Sequence, residues 1–233
     1  MKTRRYAYAA TTLLMGLSMA QGASWSWTVD LDYPLSNPPP DSSSRLAWNK
    51  TADIPRFNES VHGTLLQVNI TLYVTLHADL RAENTGASGY TLTFDYDGSV
   101  TLQRPNTAVL LSATVSYDNT FEASVYDEIR DWGGTSGVSF LNIIMNNSSS
   151  TTLTSPTDLD IFRGTGDVTL PVLARDALVV TGSPNVDQDT DTFGGARVTV
   201  EYIYVPEPAA WTAVVPCLLG AFALIRRLRH RPE

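Results

Sequence analysis

An antiparallel β-sandwich is the fold class that this sequence predicts, on three observations. Apolar residues recur at every second position through most of the chain. Short Gly-, Asn- and Asp-rich segments separate these runs. Between the two ends no stretch has the period of a convincing amphipathic helix, and no fixed-length repeat suggests a propeller or solenoid. The sandwich is expected over residues 21–205, enough for one domain with its own core. An N-terminal signal peptide and a C-terminal single transmembrane helix flank it.

The N-terminal segment opens with Lys2, Arg4 and Arg5, followed by an apolar stretch from Tyr6 to Met19. Small residues Ser18 and Ala20 occupy −3 and −1 of a cleavage after Ala20, with a second option after Gly22. This is a secretory signal layout over residues 1–20, too short for comfortable spanning. No cysteine follows it, so it is not a lipoprotein signal.

In the body, residues 24–33 alternate, with Trp25, Trp27, Val29, Leu31 and Tyr33 expected on the core side. A spacer with Pro38, Pro39 and Pro40 follows. The longest alternation sets Leu66, Val68, Ile70, Leu72, Val74, Leu76, Ala78 and Leu80 on one face and His77 on the polar one. Such length implies one long strand or two joined by a bulge. Residues 84–89 read as a turn, and Asp97-Gly98 as a hairpin between Phe94 and Val100. Further strands are expected at 109–117, 121–126, 138–145, 167–173 and 177–181, with a short helical turn at Thr157–Phe162. A last strand sets Val198, Val200, Tyr202 and Tyr204 on one face.

The C-terminal 28 residues are of another kind. Pro206, Glu207 and Pro208 precede Ala209–Ile225, seventeen residues without a charge. As a helix this segment would be about 25 Å long, near the short limit for crossing a bilayer. Arg226, Arg227, Arg229 and Arg231 close the chain and are expected to stay cytoplasmic, leaving the body outside. The two prolines keep the junction extended and outside the helix, a shape that a protease cleft can bind.

Between residues 21 and 208 lie 9 basic and 23 acidic residues, a balance of −14. That surface disfavours nucleic acid, which needs clustered Lys and Arg. The one cysteine, Cys217, lies in the apolar tail, so the body has no disulfide, thiol nucleophile or Cys-ligated zinc site.

Pro-Glu-Pro, a short apolar helix and an arginine cluster at the chain end together resemble the PEP-CTERM sorting signal, here residues 206–233. The resemblance implies a bacterial exported protein whose tail is recognised at Pro206, Glu207 and Pro208 and processed by exosortase, a membrane transpeptidase. Arg226 and its neighbours would form the retention cluster. A second resemblance covers most of residues 22–205. Ile54–Leu65 (IPRFNESVHGTL), Ile161–Val172 (IFRGTGDVTLPV) and Ala196–Val205 are similar to the choice-of-anchor E domain. Domains of that name occur joined to surface-anchoring signals, and the name carries no activity.

Motifs of catalysis are sparse. His62 and His77 are the only body histidines, and no G-x-S-x-G elbow accompanies them. Two histidines without a spaced third ligand make only a weak metal site, and His62 reads better as a solvated turn residue. The densest acidic cluster is Glu122, Asp127, Glu128 and Asp131 beside Trp132, which reads as an exposed edge with one packed tryptophan. Asp187, Asp189 and Asp191 alternate as in calcium loops but lack the glycine and terminal glutamate of an EF-hand, so a solvated acidic turn is preferred. The chain is therefore expected to be no enzyme, with no cofactor. It reads as a structural or adhesive surface protein, with exosortase, the membrane and exopolysaccharide as partners. The alternative is a carbohydrate-binding module stacking sugars on Trp25, Trp27, Trp48 or Trp132.

Overall fold

The computed structural model describes residues 22–33 and 46–206. The signal peptide, the proline spacer, Glu207, Pro208, the apolar tail and its arginines lie outside the described residues. In chain order the elements are β1 (Ala23–Leu31), β2 (Asn49–Pro55), α1 (Glu59–His62), β3 (Thr64–Asn84), β4 (Tyr90–Gln103), β5 (Val109–Ala123), β6 (Gly137–Leu153), α2 (Pro156–Phe162), β7 (Asp167–Thr181) and β8 (Val186–Val205).

The strands form two antiparallel sheets of four, ordered β1-β8-β3-β6 and β2-β7-β4-β5. Only β4 and β5 are joined as a hairpin within one sheet; the other connections cross between sheets. That order is the jelly-roll form of the β-sandwich. Its core is the alternate face of each strand. On β3 it takes Leu65, Val68, Ile70, Leu72, Val74, Leu76, Ala78, Leu80 and Ala82, none more than 2% exposed. Each Val, Leu or Ile among them contributes about 1.5–3 kcal/mol by leaving water.

In several places the strands run differently from the sequence expectation. A bulge between Leu65 and Gln67 shifts the register, so Leu65 enters the core and Leu66 faces solvent. Asp97-Gly98 is not a turn: β4 runs through it, and the hairpin lies at residues 104–108. There Asn106 Oδ1 accepts the Ala108 N–H and Thr107 takes a positive φ of 68°. The pairs 109–117/121–126 and 167–173/177–181 are single strands, β5 and β7. Trp27 is 43% exposed because β1 is a sheet edge. His77 is on the outward face, as expected, but only 7% exposed.

Gly98 belongs to the core. A Cβ there would overlap Leu76 Cδ1, and a Cβ on Gly194 would lie 2.8 Å from Leu76 Cδ2. Leu76 thus wedges between two glycines, one from each sheet. Trp48 Nε1 donates to the Gly194 carbonyl at 3.0 Å beside the same contact.

Gly98→Ala is expected to cost about 1–3 kcal/mol by overpacking, read as a lower denaturation midpoint. Adding Leu76→Ala removes the overlap, so the double variant should lose less than the sum of the two single changes.

Candidate functional site

The alternation of strand directions divides the molecule into two ends. Both ends of the body's chain emerge at one of them. In register, Ala23 of β1 pairs with Tyr204, and Thr64 of β3 pairs with Val205. Pro206 follows at once, exposed, and with no N–H to extend the ladder. Because β1 begins at Ala23, cleavage after either Ala20 or Gly22 leaves the strand complete.

Aromatic packing holds this end. Trp25 stacks on Tyr202 with centroids 5.2 Å apart, and Phe57 lies 5.6 Å from Tyr202 and 5.0 Å from Tyr204. His62, at the end of the one-turn α1, is exposed as a solvated turn residue would be, and one side of its ring also stacks 5.8 Å from Trp25 and lies tilted 5.3 Å from Phe57. Asn58 caps that short helix by accepting the Ser60 N–H. The Tyr202 hydroxyl donates to the Pro55 carbonyl at 2.7 Å, and burial pushes its pKa well above the usual tyrosine value.

The opposite end is a tip of three loops, 85–89, 124–136 and 182–185, roughly 65 Å away along β3. Asn84, fully buried, ties them together. Its Nδ2 donates to the carbonyls of Ser88 and Ser124, each at 2.7 Å. Its Oδ1 accepts from the Gly86 N–H at 3.1 Å and the Ser183 hydroxyl at 2.9 Å. Its backbone N–H donates to Ser136. One side chain thereby satisfies groups from all three loops, which no local periodicity announces.

The acidic cluster read from the sequence sits on this tip, yet its carboxylates do not converge. Glu122 accepts from Thr91, Asp127 from the Ile129 N–H, and Asp131 from the Gly133 N–H. Asp127 and Asp131 thus brace their own turns. Glu128 and Trp132 have positive φ, 69° and 58°. Beneath them Glu83, fully buried, accepts the Trp132 N–H at 3.0 Å.

Asp187, Asp189 and Asp191 do not form a turn; they lie in β8. Asp187 pairs with Arg130 at 2.9 Å and Asp189 with Arg81 at 2.8 Å. Among the described residues no group of three or more His, Cys, Asp or Glu is placed to hold a metal ion. No helix among them is long and apolar enough to cross a membrane. Of the sorting residues only Pro206 is described.

The tryptophans offer little stacking surface. Trp25 lies in the aromatic cluster, Trp48 is 8% exposed, and Arg130 sits 4.9 Å over the Trp132 ring. Among the described tryptophans, Trp27 alone has a broad exposed face.

No family model and no curated protein matches this chain. Among solved structures it is similar to infectious bursal disease virus Gx strain (12% identity, TM-score 0.23), covering 82% of this chain and 44% of that one. It is also similar to the VP2 subviral particle of that virus (10%, TM-score 0.24), covering 86% and 42%. The chain thus spans less than half the length of either, and at these TM-scores neither likeness bears on its function.

Asn84→Ala should leave several buried donors and acceptors unmet, at about 1–3 kcal/mol for each. Hydrogen exchange is expected to quicken in loops 85–89, 124–136 and 182–185, with the middle of β3 and β8 still protected.

Proposed function

We propose that this chain is an exported cell-surface or extracellular-matrix protein of structural or adhesive kind. In this reading an exosortase-type transpeptidase recognises Pro206, Glu207 and Pro208 and removes the tail. The apolar segment Ala209–Ile225 holds the chain in the membrane until then, with Arg226, Arg227, Arg229 and Arg231 on the cytoplasmic side. The body is not an enzyme and reaches its place linked to exopolysaccharide.

One observation carries the most weight in its favour. The last strand ends at Val205, and Pro206 is already exposed beside Ala23. A processing enzyme at the membrane would meet the junction immediately outside a folded body. The body would stand on the end from which its chain leaves, with the three-loop tip pointing away from the cell. The surplus of acidic residues keeps such a surface solvated and repels nucleic acid.

Replacing Pro206, Glu207 and Pro208 together by alanine in the native cells tests this. The variant should accumulate in the membrane fraction at the mass of the chain with its tail. Surface display and release at the level of the unaltered protein would contradict the proposal.

A further inference from the structure

On the outer face of the β2-β7-β4-β5 sheet lies an open groove of about 480 Å³, lined by Asp97, Gly98, Ser99, Thr114, Arg175, Asp176 and Ala177. Small residues make the depression. Ala177 is the register partner of Asp97, and Gly98 lies between Asp97 and Ser99 with nothing but backbone. The core dictates that glycine, because Leu76 fills the place of its side chain. The missing side chain would point into the core, so on the outer face Gly98 presents only its backbone.

Its polar groups are interleaved, and two of them, Arg175 and Asp176, are held by hydrogen bonds. Arg175, Ser99 and Thr114 are register partners across three adjacent strands, spaced about 4.8 Å apart. Arg175 Nη1 donates to the carbonyls of Trp48 at 3.1 Å and Ala174 at 2.6 Å, so its fork is set before any ligand arrives. Asp176 points inward, where its Oδ2 accepts from Thr192 at 2.7 Å and Tyr96 at 3.4 Å. Burial, then the Asp176 charge, pushes the Tyr96 pKa well above its ordinary value, so the phenol stays a donor. Asp97 and Ser99 have no side-chain hydrogen bond or ion pair with another described residue.

We propose that this groove binds a neutral saccharide chain. The Asp97 carboxylate accepts from two neighbouring hydroxyls, while Arg175, Ser99 and Thr114 donate to ring and hydroxyl oxygens. Ala177 and Gly98 form a small apolar floor. Asp176 positions the wall and does not itself touch the sugar. An anionic ligand would meet Asp97, and a cationic one Arg175, so an uncharged polyhydroxylated ligand fits best. The volume lies within the range of about 300–1,000 Å³ usual for ligand sites. Because the groove is open along the sheet, the inside of a chain can enter as well as its end. Recognition is by hydrogen bonding, since no tryptophan lines the groove. The site does not depend on how the tail is processed.

The test is a titration of the full-length protein in detergent micelles with neutral, acidic and amino oligosaccharides, followed by calorimetry. Unaltered protein should bind at least one neutral oligosaccharide saturably. Asp97→Asn should raise its Kd roughly tenfold or more, as for loss of a charge-assisted hydrogen bond. Ala177→Trp, at an exposed position, should fill the groove and abolish binding with the denaturation midpoint unchanged. Three results would overturn the proposal: no neutral oligosaccharide bound at millimolar concentration, preference for charged ones, or binding that survives Ala177→Trp. Loss of tail processing would leave all these readouts unmoved, so the two proposals fail separately.

Discussion

The rest of the structure depends on the antiparallel ladder between β3 and β8. Twenty residues of each strand lie in register, from Thr64 opposite Val205 to Asn84 opposite Val186. This ladder is the centre of its sheet, with β1 added on one side and β6 on the other. It delivers the C-terminal exit beside the start of β1 and, at its other end, Asn84 beneath the tip loops. It also aligns the inward faces of both strands, and Leu76 of β3 finds its place between Gly194 of β8 and Gly98 of the opposite sheet.

The two ends that the ladder separates are built differently. Where the chain leaves, aromatic rings from β1, α2 and the segment between β2 and α1 pack around Tyr202 of β8. That end is closed by apolar contact, which suits a body held by its own terminus. A pull on the tail runs along β8 and loads two hydrogen-bonded ladders lengthwise. The tip instead depends on polar bonds, centred on Asn84, that satisfy loop backbone groups where no strand partner exists. Surface loops of this kind tolerate change while the scaffold beneath them stays fixed.

Much of the fold was legible in the sequence, since strict alternation with Gly/Asn/Asp breaks describes strands with one buried face. Both merged strands were misread at polar residues. Asp176 looked like a break in β7, but it faces inward and is met by Thr192 and Tyr96. Asp118, Asn119 and Thr120 looked like a break in β5, but β5 is an edge strand and tolerates them. Asp97-Gly98 looked like a turn because a glycine required for interior space and one required for a turn are identical in sequence. The groove was illegible for a related reason: Arg175, Ser99 and Thr114 come from three strands and meet only through register. The acidic cluster was legible as a group, yet sequence proximity said nothing of the backbone N–H groups that Asp127 and Asp131 accept.

The mature termini of the protein taken from its native cells, measured by intact-mass and terminal-peptide mass spectrometry, test the proposed processing most directly. The expected N-terminus is Gln21 or Ala23 and the expected C-terminus lies between Pro206 and Ala209, with residues 210–233 absent. A chain that still ends at Glu233, in cells that possess the transpeptidase, would contradict it and make this protein a membrane-anchored ectodomain.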